Sequence, residues 1–300
     1  MLYKAWLIYN GGINNRKFSD IHQWYIETAK KINIKLELVS NLDLYIGVDQ
    51  NKLSLDNKNN RPDFVLFLDK DIRLAQHLER LAIPVFNKAE AIELCDSKIF
   101  MHQCLAIHEL PQPKTIFAPM LFQDKQEIDQ QFLNYVEDKL LYPLIIKEAY
   151  GSFGEQVYFI KNRGQLEEKA RHLLHTPHLY QQYIQSSNGQ DIRLHVVGNR
   201  VVAAMKRVSE HDFRANVTSG GKMYQVEPKQ TFLDLAVKAS QAVKADFSGV
   251  DLLIGEKGDP IICEVNSNAH IKNIYDCTGV DVSKDIFQHI IATLKGYSNE

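Results

Sequence analysis

In the run Pro260-Ile261-Ile262-Cys263-Glu264-Val265-Asn266 an acid and an amide stand two residues apart. On a β-strand, alternation puts both side chains on one face. A further oxygen donor, Asp251, lies in the preceding apolar run Gly249-Val250-Asp251-Leu252-Leu253-Ile254, and Gly255-Glu256-Lys257-Gly258 supplies the turn that folds the two runs into a hairpin. Two carboxylates and an amide carbonyl meeting across a hairpin make an oxygen-only site for a hard cation. Mg²⁺ held by so few protein groups keeps waters and bridges phosphates. The expected partner of this hairpin is a nucleoside triphosphate, with Asp251, Glu264 and Asn266 on the metal.

Other residues could meet the rest of such a ligand. Lys147 ends an apolar run and is followed by Gly151-Ser152-Phe153-Gly154, a turn flexible enough for backbone N–H groups to close over phosphates. The same residues would equally serve as a hairpin turn with a surface lysine, since no Walker G-K-[S/T] or G-x-G-x-x-G pattern accompanies them. Arg207, then Arg214 and Asn216 in a loop, suit the bidentate grip on a γ-phosphate and its developing charge; isolated surface arginines are the alternative. Gln182 and Tyr183, with Asp191 a short loop later, could read a purine and ribose. Asp191 beside Arg193 could instead be a surface ion pair. His172, His175 and His178 are read as solvated histidines, because Pro177 interrupts their spacing and no acid or cysteine completes a tetrahedral set.

These residues need elements to hold them. Residues 3–9 read as a first strand, Ser19 or Asp20 as the cap of a helix, 35–39 as a strand, and 64–68 as a strand buried on both faces. The polar stretch 49–61 reads as a surface loop. A helix near 71–82 and a short strand at 84–86 complete a βαβ-type lobe. A helix over 96–108 follows, then strand 114–118, helix 124–139, strand 144–147, strand 156–160 and helix 164–175. The last third is strand-rich (179–184, 190–197, 200–208, 221–226), with helices at 229–245 and 283–295 around the hairpin.

Three hundred residues with 45% apolar and 24% charged content describe an ordinary globular protein of two or three lobes. A net charge of −2, with basic residues dispersed, excludes a global electrostatic case for nucleic acid or an anionic membrane. Cys95, Cys104, Cys263 and Cys277 form no C-x-x-C pair and read as reduced and mostly buried. No apolar run approaches the ~18 residues of a membrane span, and the aromatic start is too short for a signal peptide. The expected address is the cytoplasm. No G-x-S-x-G or local nucleophilic-cysteine signature supports covalent hydrolase chemistry.

Lys98, Lys147, the 151–154 turn, Arg207, Arg214, Asn216 and the Asp251…Glu264-x-Asn266 trio recur in one order over residues 96–267, an order that resembles the ATP-grasp fold. The chain is most similar to the RimK-like carboxylate–amine ligases of the alpha-L-glutamate ligase type. The stretches that carry the likeness are Leu68-Asp69-Lys70-Asp71-Ile72, Asn188–Arg193, Val197–Arg207, Asp212–Asn216 and Cys263–Asn266. The resemblance implies an α/β fold with mixed α+β lobes: a βαβ-type pre-ATP-grasp domain at 1–94, a central and lid subdomain at 95–183, and a C-terminal subdomain at 184–300. It implies that Lys98 and Lys147 hold phosphates, that Gly151, Ser152, Phe153 and Gly154 form a mobile lid loop, and that Gln182 and Tyr183 are the adenine hinge with Asp191 near the nucleotide. Arg207, Arg214 and Asn216 would face the γ-phosphate, and Asp251, Glu264 and Asn266 would bind Mg²⁺ or Mn²⁺, two ions. Gln182 stands where many relatives have an acid, and Ser267–Asn273 replaces their usual turn, making His270 and Lys272 candidates for setting acceptor choice.

The implied activity is ATP-dependent joining of a carboxylate to an amino-acid amine through an acyl-phosphate, the acceptor being a protein C-terminus, a peptide or a small carboxylate, in a homo-oligomer. One rival is an ATP-binding regulatory protein without ligase activity; another is a phosphotransferase that stops at a phosphorylated product. The missing glycine fingerprint after the first strand disfavours a dinucleotide oxidoreductase.

Overall fold

The computed structural model describes residues 2–13, 15–56, 60–122, 124, 127–151, 154–215 and 220–297. The chain opens with β1 (Tyr3–Tyr9), α1 (Arg16–Lys31) and β2 (Ile34–Ser40), makes a hairpin of β3 (Tyr45–Asp49) and β4 (Lys52–Asp56), and continues through β5 (Phe64–Phe67), α2 (Ile72–Arg80) and β6 (Val85–Phe86). A parallel sheet forms in the order β2-β1-β5-β6. Every residue of β5 is buried, as a parallel strand covered on both faces requires. Trp6 and Ile8 face α2 through Leu74 and Leu78, while Ala5 and Leu7 face α1 through Tyr25 and Ala29. That second core continues into Phe247, Ile274 and Phe287 from the far end of the chain.

Two expectations fail in this region. The stretch 49–61 is not simply a loop. Gln50 and Asn51, at φ 44° and 67°, make a left-handed turn of the kind that closes two-residue hairpins, and Lys52–Asp56 pairs back on Tyr45–Asp49. Helix α1 begins at Arg16, one turn before the expected Ser19 or Asp20 cap.

α3 (Ala89–Asp96), which has no counterpart among the expected elements, precedes α4 (Lys98–Ile107), the helix expected over 96–108. Ser97, with extended backbone, ends α3, and its hydroxyl accepts from the Phe100 N–H to start α4. Then come β7 (Thr115–Phe117), α5 (Gln130–Leu140), β8 (Leu144–Glu148), β9 (Val157–Ile160), α6 (Arg163–His172) and β10 (His178–Gln182). These strands make an antiparallel sheet in the order β7-β10-β8-β9, backed by Leu133, Val136 and Leu140 of α5 and Leu166 of α6. Helix α5 starts later than expected because Asp129 caps it, accepting from the Gln131 and Phe132 N–H groups. His178 is buried, not solvated: its ring bonds the Thr176 carbonyl and the Tyr180 hydroxyl.

The last part is β11 (Gln190–Val197), β12 (Arg200–Val208), β13 (Lys222–Gln225), α7 (Gln230–Ala242), β14 (Phe247–Ile254), β15 (Pro260–Asn266), α8 (Ile271–Thr278) and α9 (Val282–Tyr297). The strands form an antiparallel sheet ordered β13-β12-β11-β14-β15. Met101 and Leu105 of α4 and Leu235 and Ala239 of α7 pack against its Leu194, Val250 and Val265. The four cysteines are free, but only Cys95 is fully buried; the others are half-buried because they lie on element faces that border the cleft or the surface. Among the described residues no helix is long and apolar enough to cross a membrane.

Asn87, fully buried just after β6, ties the first sheet to the third. Its Nδ2 donates to the Phe247 and Ser267 carbonyls (2.9 and 2.8 Å), and its Oδ1 accepts from the Asp246 and Phe247 N–H groups (2.6 and 3.2 Å). One amide thus fixes the start of β14 and the exit from β15. Asn87→Ala would strand these backbone groups in the interior, and we expect it to lower unfolding free energy by about 3 kcal/mol or more, read as a shifted urea midpoint at unchanged slope.

Candidate active site

The hairpin predicted from spacing forms, and its register does what the chemistry needs. Asp251 of β14 lies opposite Glu264 of β15, and Gly249 lies opposite Asn266. A register shift after Asp251 sets Cys263 apart from the ladder and keeps Glu264 on the same face as Asp251. A side chain at Gly249 would put its Cβ 2.4 Å from the Ala269 Cβ, so glycine there lets the loop after β15 close over the strand.

Across the same sheet, cross-strand pairing builds a buried ion network. Asp191 on β11 faces Arg207 on β12, and Arg193 on β11 faces Asp251 on β14. Arg207 grips Asp191 with two bonds of 2.7 and 2.6 Å and also reaches Asp251 Oδ2 at 2.9 Å. Arg193 grips Asp251 with two bonds of 2.6 Å. Burial pushes the Asp251 carboxyl up, but the Arg193 and Arg207 guanidiniums outweigh it and bring its pKa to about 2. Asp191 is therefore partnered by Arg207, not by Arg193, and the pair is interior, not surface. Arg193 is the member that sequence reasoning undervalued. Its place two residues after Asp191 on one strand face was the available signal.

The two lysines arrive from separate elements. Lys98, in the first turn of α4, is 7% exposed; its ammonium donates to the Gly151 carbonyl at 3.2 Å and lies 3.8 Å from Glu264. Burial lowers its pKa, opposed mainly by Glu264. Lys147, near the end of β8, is equally buried, with its Nζ 3.8 Å from Cys263 Sγ. One turn beyond Lys98, His102 is held neutral, its pKa down to about 3, by burial and then by the Lys147 charge. Its ring bridges Gln112 Oε1 (2.6 Å) and the Gln181 amide nitrogen (3.0 Å), which fits a proton on Nδ1. A neutral imidazole is the only form that leaves both lysines unopposed by a further buried cation.

Gly151 sits at φ 136° and Gly154 at φ 75°, conformations that suit glycine. Arg214 donates to the Gly154 carbonyl and is held by Asp212 at 2.7 Å, which strings the turn to the loop after β12. Ser152, Phe153 and Asn216, named from sequence, lie outside the described residues.

A cleft of about 430 Å³ gathers these groups. Lys98, Lys147, Gly151, Gly154, Gln182, Tyr183, Asp191, Arg207, Arg214, Asp251, Glu264 and Asn266 all line it. One stretch of wall is apolar, with Ile145, Val157, Ile184 and Leu253 beside Tyr183, whose ring meets the edge of Phe159 at 4.9 Å. Another is contributed by Asn10, Phe18, Asp69, Asn268 and His270, where the His270 ring lies 5.2 Å from that of Phe18. Lys272 does not line the cleft; it pairs with Asp276 one turn along α8.

The donor set fits a magnesium ion that keeps water. A carboxylate offers about four acceptor positions, and the arginines use three on Asp251. Asn266 donates through Nδ2 to the Gly249 carbonyl at 3.5 Å, which leaves its Oδ1 as a donor to metal. Among the described residues no group of three His, Cys, Asp or Glu side chains forms a cage. Two acids and an amide is the open set that phosphate oxygens would complete.

A family model described as the RimK-like ATP-grasp domain matches residues 95–290. The MG012 homolog of Mycoplasma pneumoniae is 36% identical over 250 residues, 82% of this chain and 84% of that one. Human N-acetylaspartylglutamate synthase A is 29% identical over 228 residues, 75% of this chain but only 57% of its own length. Among solved structures, the ATP-grasp ligase PsnB complexed with minimal precursor, Mg and ADP superposes with a TM-score of 0.70 at 15% identity, covering 97% of this chain and 98% of that one, a likeness of fold.

Proposed function

This chain belongs to the RimK-like ATP-grasp family, and from that premise we propose that it uses ATP to join a carboxylate to an amine through an acyl-phosphate. The observation that carries the reading is the convergence in one cleft of two buried lysines, Arg214, a glycine turn and the Asp251/Glu264/Asn266 face.

In this reading the apolar wall beside Gln182 and Tyr183 takes the base, and Lys98 and Lys147 take phosphate oxygens. Arg214, which donates to the Gly154 carbonyl, meets the γ-phosphate. Asp251, Glu264 and Asn266 would hold Mg²⁺, which neutralises charge on the phosphates. Arg193 and Arg207 hold Asp251 in place, with little surface left to touch substrate. A substrate carboxylate oxygen bonds to the γ-phosphorus as the bond to ADP breaks. The amine nitrogen then bonds to the acyl carbon, phosphate departs with the C–O bond electrons, and the nitrogen gives up a proton. No protein nucleophile is required. Catalysis consists of positioning and charge neutralisation in a site closed to water, because water would hydrolyse an acyl-phosphate.

Glutamate is the first amine to try, given the product named for human N-acetylaspartylglutamate synthase A; the acceptor is a protein C-terminus, a peptide or a small carboxylate. The proposed three-part division at 94 and 183 is supported by the strands, since each of the three large sheets draws all its strands from one part. The test is ADP release across a panel of amino acids paired with carboxylates, followed by product masses. An amide product with stoichiometric ADP is expected. Release that no carboxylate–amine pair stimulates would reject ligation and favour a regulatory nucleotide-binding role, and a phosphate adduct as the final product would favour a phosphotransferase.

A further inference from the structure

Asp69 follows β5 and lines the cleft, yet it is only 7% exposed. Its Oδ1 is saturated, accepting from the Asn10 side-chain amide at 3.0 Å and from the Lys70 N–H at 2.6 Å. Its Oδ2 is buried and makes no hydrogen bond among the described residues. Buried carboxylate oxygens are normally paired, since leaving one without a donor costs most of its hydration. Two neighbouring side-chain donors bond other groups: the Lys70 ammonium pairs with Asp96, and the Asn268 amide donates to the Leu68 carbonyl at 3.0 Å. The wall around Asp69 is thus a negative group with one oxygen spoken for and one awaiting a donor.

We propose that Asp69 receives the substrate amine as its ammonium ion, which sheds one proton to solvent before its nitrogen attacks, making Asp69 the residue that selects, in binding, a free amino acid or peptide over its N-acylated or des-amino counterpart. The complement of a single open carboxylate oxygen is an ammonium, a compact cation with three N–H donors. A guanidinium prefers both oxygens of a carboxylate for its fork, and here Oδ1 already serves two donors. The Phe18–His270 ring pair, which also lines the cleft, supplies an apolar surface for the carbon skeleton. The proposal rests on the ligase reading of the cleft and assigns part of its specificity to the N-terminal parallel sheet.

The test uses the full chain with Mg·ATP and the twenty common L-amino acids, each beside its N-acetyl derivative, with carboxylate partners from the panel above. Thermal shift with Mg·ADP reads binding, and ADP release reads turnover. At least one free amino acid is expected to shift the melting temperature and its N-acetyl form is not, a comparison read on binding alone because an amide nitrogen cannot attack the acyl carbon. Asp69→Asn keeps an acceptor for Asn10 and Lys70 but removes the charge. It should raise KM for the effective amino acid about 10- to 100-fold, with KM for ATP within about twofold of the parent. Equal thermal shifts with the N-acetyl forms, an unchanged KM in Asp69→Asn, or no response to any free amino acid would each overturn the proposal. The wild-type comparison decides the matter even if the variant folds poorly. Absent ADP release with an Asp69-dependent thermal shift would remove the ligase reading and spare Asp69; amide formation indifferent to Asp69 would do the reverse.

Discussion

Glu264→Gln is expected to cut substrate-dependent ADP release by about 10²- to 10³-fold, the usual cost of losing one preorganised charge at a phosphoryl or acyl transfer site. The fold should be nearly indifferent. Glu264 is partly exposed and 3.8 Å from Lys98, and the buried Lys98 can shed its proton when the acid is gone, so the variant should lose far less stability than one that breaks the Asp251 network. A second signature separates electrostatic loss from general damage. Burial already lowers the Lys98 pKa, and Glu264 is the main group opposing that shift. Without the acid, the Lys98 pKa falls further. The residual activity of Glu264→Gln should accordingly fail at lower pH on the alkaline side than wild-type activity does. Full ADP release by the variant would remove Glu264 from the metal assignment.

Asp251→Asn should damage both activity and fold, and the contrast with Glu264 is informative. Asp251 is 4% exposed and carries bidentate Arg193 plus one bond from Arg207, so neutralising it leaves two guanidiniums competing for Asp191 in the interior. Removing one partner of such a buried network costs about 3–5 kcal/mol. The pH dependence has a definite sign. With the folded carboxyl held at about 2 against an ordinary 3.8, the stabilisation is present above pH 3.8 and is lost as pH falls through about 2. Acid titration of wild-type stability should include this loss between those limits, and the variant should lose less there because the other carboxylates alone contribute. Equal urea midpoints for the two proteins at neutral pH would mean that the network contributes nothing to stability.

Much of this was readable from residue order because the relevant geometry is local. Strands Gln190–Val197 and Arg200–Val208 carry the bounds expected of them, and the Glu264-x-Asn266 spacing needed only the alternation of a strand to face one way. Local signals also failed where local rules conflict. The helix Ala89–Asp96 is unannounced in the sequence because Lys88 gives it no side-chain cap, whereas Ser97 marks the start of the next one. Gln50-Asn51 turned a polar stretch into a hairpin because left-handed backbone was adopted outside the usual Asn-Gly signature. His178 was misjudged because burial is set by its neighbours in the sheet, not by its spacing from other histidines.

From its residues alone the chain determined most of its elements and the donor types of its hairpin, since alternation, caps and turns act over a few residues. It also fixed which charges could meet, because a register follows once neighbouring strands pair. What it could not determine is which charges are consumed by each other. That Arg207 is occupied by Asp191 and Asp251, that His102 backs two lysines from another face, that Asn87 clamps β14 to the first sheet, and that Asp69 keeps one oxygen without a donor among the described residues are facts of partners between 10 and 180 residues away. Such partners are chosen when separate sheets dock and exclude water, and only then does an isolated charge become either a spent ion pair or a group still able to hold a ligand.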